Sequence, residues 1–275
     1  MRGVVLVEIR NAATVMLLRQ DGAVMKVLML KRNLNLEFVG GAYVFPGGKV
    51  DVGDSSPAIL KRCDGLDDQA ASVNLGVDSG GLAYYVAAIR EAFEEAGVLV
   101  GSRPDGSMPA KADLDSARER LLAGEVDFQS ILEGLDLRLS VSELNYFAHW
   151  ITPEGPPRRF DTRFFVARAP EGQVGQHDMS ETVSSVWISP QDAIKAAHEH
   201  TLEIILPTMR NLMAIGRFSH VEEVIHAARS AQSVDLVVPK LIRDSDGLRI
   251  LLPGDPGYDD GQPAHMVPGE SLPLP

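Results

Sequence analysis

The chain has 275 residues, a hydrophobic fraction of 45% and a net charge of −12. That composition supports a sizeable core, in one large or two small domains, and excludes wholesale disorder. A balance this acidic excludes a general nucleic-acid or anionic-membrane surface, but not a local basic pocket for a phosphorylated small molecule. Cys63 is the one cysteine, so there is no intramolecular disulfide and no cysteine zinc cluster. No apolar run reaches the roughly 18 residues of a membrane span. The opening MRGVVLVEIR carries an acid within its short apolar stretch and reads as a poor signal peptide. These features point to a cytoplasmic protein.

Taken in chain order, residues 12–18 (AATVMLL) and 26–31 (KVLMLK) read as a strand pair turning at Asp21-Gly22. Residues 43–46 (YVFP) form a strand that ends on Gly47-Gly48. Residues 55–82 are rich in Ser, Asp, Gly and Asn and lack periodicity, so an inserted loop with one or two short helical turns is expected. Residues 84–96 (YYVAAIREAFEEA) are the clearest helix: Val86, Ile89, Phe93 and Ala96 recur at helical spacing, and Gly97 supplies a stop. Helical patterns follow around 112–123 and 128–134. Residues 159–168 and 183–188 read as strands. Ser189-Pro190 opens a helical stretch that runs from about 191 to 230, interrupted near Pro207. Residues 235–253 predict a hairpin around Asp246-Gly247. The domain is expected to span 1–255, and the Pro- and Gly-rich 256–275 to form an extended or mobile tail. There are no internal repeats, and a mixed α/β or α+β domain follows.

On the helix at 84–96, Glu91, Glu94 and Glu95 fall within an arc of roughly 100°. The apolar residues occupy the opposite side, and no lysine is interleaved. Like charges one turn apart cost about 0.2–0.5 kcal/mol per pair. A divalent cation would neutralise them, and an all-oxygen donor set suits Mg²⁺ or Mn²⁺ rather than zinc. A wet helix face is the plain alternative, and the flanking residues decide between the two.

Upstream stands Gly47-Gly48-Lys49-Val50-Asp51-Val52-Gly53-Asp54, and downstream Arg90-Glu91-Ala92-Phe93-Glu94-Glu95-Ala96-Gly97-Val98. Together they resemble the Nudix box, G-x5-E-x7-R-E-U-x-E-E-x-G-U, with Asp54 where Glu is usual. The spacing departs from it: 35 residues separate Asp54 from Arg90 instead of 7. An interrupted box of this kind is similar to that of the peroxisomal coenzyme A diphosphatases of animals and their bacterial relatives. GGAYVFPGG, HWITPEGPPRRFDTRFFVA and LLPGD carry the likeness further along the chain. The resemblance implies an α+β Nudix fold: an α/β/α sandwich with a mixed sheet, an insertion at 55–82 within the box and a helical C-terminal portion. It also implies Mg²⁺- or Mn²⁺-dependent cleavage of a nucleoside diphosphate derivative, most closely CoA or acyl-CoA, giving 3′,5′-ADP and (acyl-)4′-phosphopantetheine.

By the same resemblance, Glu91, Glu94 and Glu95 would ligate the metal together with a backbone carbonyl at Gly47, beside Gly48. Arg90 would buttress one carboxylate or form a surface pair, and Asp54 is the box position hardest to assign. Glu181, six residues before Trp187, is a candidate further ligand or general base, with a solvated loop acid as the alternative. Arg158, Arg159 and Arg163 form the densest basic cluster. With Arg32 beside Lys31, they are candidates to hold the substrate's phosphates, or charges that pair within the fold. The insertion enters beside the site and is expected to form a lid, a pocket wall or a dimer contact. Other signals fail: Gly47-Gly48-Lys49 lacks the P-loop spacing, His198-Glu199-His200 lacks the helical zinc spacing, and no G-x-S-x-G elbow occurs. Two alternatives stay open, a Nudix pyrophosphatase for nucleotide sugars, dinucleotides or NADH and a non-catalytic nucleotide sensor. The expected partner is a small molecule, with no nucleic acid or membrane and with a homodimer as the assembly considered.

Overall fold

The computed structural model describes residues 7–33, 40–173, 175, 178, 182–245, 247–261 and 263–264. Its centre is β1 (Ile9–Asp21), which turns at Gly22 (φ +59°) into antiparallel β2 (Val24–Arg32). Short β3 (Tyr43–Val44) and β4 (Gly47–Lys49) pair with β2 and β1 respectively. On its other edge β1 runs parallel to β8 (Arg159–Arg168), and β8 pairs antiparallel with β7 (Asn145–Ile151). β9 (Thr182–Ile188) lies on β2, and β10 (Leu236–Val237) completes a mixed eight-stranded sheet beside β7.

Both faces of this sheet are buried, which is why its strands read as unbroken apolar runs rather than alternating ones. Val15, Leu17, Leu28, Leu30 and Phe165 point to one core, while Met16, Leu18, Val27, Met29 and Phe164 point to the other. The first core is closed by α2 (Asp68–Leu75), α3 (Leu82–Ala96), α4 (Lys111–Leu122) and α5 (Phe128–Gly134), together with short α1 (Pro57–Leu60). The second is closed by α6 (Pro190–His198), α7 (Leu206–Ile215) and α8 (Val221–Ser230). The result is the α/β/α sandwich the resemblance implied. Small strands β5 (Gly101–Ser102) and β6 (Arg138–Leu139) pair apart from the main sheet, as do β11 (Lys240–Asp244) and β12 (Gly247–Leu251).

The structure refines several local expectations. The stretch 55–82 is a packed helical segment rather than a loop: α2 is capped by Asp67, whose side chain accepts from the Ala70 N–H, and stops at left-handed Gly76. Ile59, Ala71 and Leu75 are buried in the α3-side core. The break expected near Pro207 falls at residues 199–205, between α6 and α7, and Pro207 itself sits in the first turn of α7, where its missing N–H costs nothing. Residues 145–151, not singled out from the sequence, form the strand β7; its β-branched and aromatic content was the available signal. At the C-terminal end the β11–β12 hairpin forms, although Asp246 lies outside the described residues. Part of the supposed tail is tied down: the Tyr258 hydroxyl donates to the Val238 carbonyl at 2.7 Å, and the Ala264 N–H to that of Leu241. No described helix is long and apolar enough to cross a membrane.

Candidate active site

Strand β4 and helix α3 build the site between them. β4 sets Gly47 opposite Thr14 and Gly48 opposite Ala13. α3 is amphipathic on paper, yet almost all of it is buried, because α2, α4 and α5 wrap the side turned away from the sheet. The acidic face is therefore not a wet surface. Glu95 is 5% exposed, and the side chains of Glu91 and Glu94 are 14% and 24% exposed.

The two elements meet without clearance. A Cβ on Gly48 would lie 2.3 Å from Glu91 Oε1, so the carboxylate occupies the space that any other residue would fill. A Cβ on Gly47 would lie 2.4 Å from Thr14 Oγ1. The Gly47 N–H donates to Glu95 Oε2 at 2.9 Å. Both glycines are thus needed for close approach, not for an unusual backbone angle.

Arg90 is the hub. Its Nε donates to Asp54 Oδ1 at 2.8 Å and its Nη2 to Asp54 Oδ2 at 3.0 Å, a bidentate pair in which Asp54 is 2% exposed. Nη2 also donates to the Lys49 carbonyl at 2.9 Å, and Nη1 to Glu91 Oε1 and Glu94 Oε2, each at 3.0 Å. Burial works against the Arg90 charge, but the Asp54 hydrogen bond and the surrounding carboxylates outweigh it, so the guanidinium is held above its ordinary range. The shorter acid at position 54 still reaches its partner, and the two halves of the box are rejoined across the insertion. For Glu94, burial is the largest influence and lifts the carboxyl above its usual range despite Arg90.

Arg90, Glu91, Glu94, Glu95 and Gly47 therefore come together, while the remaining candidates have separate surroundings. Glu181 lies outside the described residues. Its neighbour Thr182 donates from Oγ1 to the Glu95 carbonyl at 3.5 Å, so the start of β9 abuts the end of α3. Arg32 ends β2, and its Nε is buried with no hydrogen-bond partner among the described residues. Arg158 is exposed in the turn before β8, and Arg159 donates from Nε to the Thr152 carbonyl at 3.0 Å. Arg163 is 5% exposed. It lies on the α3 side of the sheet, with Cζ 4.9 Å from the Tyr84 ring centroid. Its Nη1 lies 2.5 Å from Asp161 Oδ1, but too far off line to make a hydrogen bond. Asp161 also meets His149 Nε2 at 2.6 Å.

Among the described residues, no group of three or more His, Cys, Asp or Glu side chains is gathered as around an ion. Glu91 and Glu94 turn onto Arg90, and Glu95 onto the Gly47 N–H. The donor set nevertheless fits a hard divalent cation: three carboxylates on adjacent turns with a glycine backbone against them.

A family model described as the NUDT19 Nudix domain matches residues 68–215. Human acyl-coenzyme A diphosphatase NUDT19 is 28% identical, over 85% of this chain and 72% of its own length. The putative nudix hydrolase 7 of Caenorhabditis elegans is 29% identical, over 69% of this chain and 54% of its own length. A solved NUDIX hydrolase from Alicyclobacillus acidocaldarius superposes with a TM-score of 0.64 at 25% identity, covering 84% of this chain and 99% of that one.

Proposed function

From the chain's membership of the NUDT19 Nudix family, whose model takes in more than half of it, we propose that it hydrolyses the diphosphate of coenzyme A or an acyl-CoA. The products are 3′,5′-ADP and (acyl-)4′-phosphopantetheine. The chain is a hydrolase acting on diphosphate bonds. The observation that carries this reading is the Asp54–Arg90 pair: it restores in space a box that the sequence interrupts, beside an acidic trio retained in full. The similarity to relatives named acyl-coenzyme A diphosphatase directs it to CoA.

Glu91, Glu94 and Glu95, with the Gly47 carbonyl, would hold Mg²⁺ or Mn²⁺. When bound, the cation supplies charge neutralisation of the diphosphate and acidifies a water. The chain's own residues set the geometry for an in-line displacement, in which a water oxygen bonds to one phosphorus as the bridging P–O bond breaks. Arg90 fixes the side-chain rotamers of Glu91 and Glu94, Gly48 gives Glu91 its space, and the Gly47 N–H orients Glu95. The attacking water must lose a proton, and the Glu181 carboxylate is the general base we assign to receive it.

Incubating the purified chain with CoA, acyl-CoA, ADP-ribose, dinucleotides and NADH in Mg²⁺ or Mn²⁺ tests the proposal, with products identified by mass. Release of 3′,5′-ADP from CoA or acyl-CoA is the expected result. Turnover confined to nucleotide sugars, dinucleotides or NADH would replace the substrate assignment, and tight binding without turnover would make the chain a sensor. Glu181→Gln is expected to lower kcat by about 10²–10⁴-fold; near-normal turnover would remove that residue from the mechanism.

A further inference from the structure

Helix α3 carries the acidic trio, yet its N-terminus has no side-chain cap of its own. Its N-cap is Gly81, without a side chain to accept a hydrogen bond, and its first turn holds no acid. The backbone donors at its entry are taken from elsewhere. Asp68 of α2 accepts from the Gly80 N–H through Oδ2 and from the Leu82 N–H through Oδ1, both at 3.0 Å. Ser72 Oγ accepts from the Gly81 N–H at 2.9 Å. A Cβ on Gly81 would lie 2.4 Å from the Ser72 backbone nitrogen, so α2 presses directly on the entry turn.

The other end is also held from outside the helix. The carbonyls of Ala92 and Phe93 accept from the Val98 and Gly97 N–H groups. The Glu94 carbonyl accepts from Arg118 Nε of α4 at 2.9 Å, and that of Glu95 from Thr182. A carboxylate thus sits at the positive end of the helix and a guanidinium at its negative end, each matching the helix dipole.

We propose that Asp68, supported by Ser72, and Arg118 are positioning residues that clamp α3 at its two ends and fix the height of Glu91, Glu94 and Glu95 against Gly47 and Gly48. The inference rests on that trio being the metal-binding set. A helix advances about 1.5 Å per residue. Slippage by that amount would break the Gly47–Glu95 hydrogen bond and lift Glu91 from its place over Gly48. Misplacement on the order of 1 Å can cost about 100-fold in rate. In this reading the insertion that interrupts the box supplies the N-terminal half of the clamp through α2, and α4 supplies the C-terminal half.

The test compares the 275-residue chain with its Asp68→Ala, Asp68→Asn, Ser72→Ala, Arg118→Met and Arg118→Lys variants. Three quantities are read: amide hydrogen exchange over residues 80–97, Mn²⁺ affinity by titration, and kcat with KM. Asp68→Ala and Arg118→Met should speed exchange by roughly five- to tenfold at their own ends and at Glu91–Glu95. They should also weaken Mn²⁺ binding several-fold and lower kcat about tenfold with little change in KM, with partial rescue in Asp68→Asn and Arg118→Lys. Faster exchange confined to the helix ends, with Mn²⁺ affinity and kcat unchanged, would overturn the proposal. If Asp68→Ala does not fold, Ser72→Ala and the two Arg118 variants decide it. If the parent neither turns over CoA nor binds Mn²⁺, the functional reading fails on its own; the clamp is then judged by exchange at Glu91–Glu95, and unchanged rates there would refute it.

Discussion

Two arginines, Arg90 and Arg163, are buried on the same side of the sheet, at 8% and 5% exposure, and they are treated very differently. Every nitrogen of Arg90 has a partner, and those partners are the acids and backbone around the acidic trio. Among the described residues, Arg163 has Nε and Nη1 without an aligned hydrogen bond, and leans on Asp161 and the face of Tyr84. Equal burial therefore does not mean equal work. The first cation sets side-chain geometry at the site, and the second neutralises a carboxylate within a packed layer.

The largest effect is expected from breaking the first cluster. Arg90→Ala would strand Asp54 and two glutamates, destabilising the fold by about 3–5 kcal/mol and lowering kcat at least about 100-fold, as read by urea denaturation and steady-state kinetics. Gly48→Ala should spare stability, because its Cβ meets only the end of a flexible glutamate side chain. It should still cost on the order of 100-fold in turnover by displacing Glu91.

The second cluster should show the reverse pattern. Asp161→Asn leaves Arg163 buried beside a neutral group and is expected to cost about 3 kcal/mol, with kcat and KM per folded molecule unchanged. Arg163→Met should likewise leave KM unaltered; a raised KM for CoA would return Arg163 to the substrate and dissolve the contrast. The smallest effect is a pH trend. Burial tends to raise the Asp161 carboxyl, but the His149 hydrogen bond and the Arg163 charge together hold it below its ordinary 3.8. A depressed acid stabilises the fold above its unfolded value and loses that contribution as pH falls through its folded value. The stability gap between the parent and Asp161→Asn should accordingly be full above about pH 4 and narrow below it, measured by urea midpoints across that range.

The contrast also marks what the sequence made legible. The spacing of Glu91, Glu94 and Glu95 is local, and helical periodicity suffices to put them on one arc. The partner of Arg90 needed the box pattern, since Asp54 and Arg90 are far apart in the chain and nothing local joins them. The order within 55–82 escaped notice because α2 is weakly amphipathic and is held by tertiary contacts of Ala71 and Leu75 with α3. The capping of α3 by Asp68 was equally hidden: capping rules read the residues just before a helix, and here the acceptor comes from a neighbouring one. Arg158, Arg159 and Arg163 looked like one basic cluster because period-two reasoning shows which side of a strand a residue takes, not which layer covers that side.

Strand β1 divides its second edge between two partners, Ala12–Thr14 against β4 and Leu18–Asp21 against β2. Pairing along a strand is a ruler with a fixed tick, and here the tick at Ala13 decides which residue faces helix α3. A slip of one notch would put Gly47 or Lys49 where Gly48 now stands. Lysine there would bring a long cationic chain into the space that the Glu91 carboxylate fills. A three-residue splice of backbone thus acts as the alignment mark for the whole apparatus, and it makes frame-preserving changes in the neighbouring hairpin far safer than any single-residue insertion between Phe45 and Lys49.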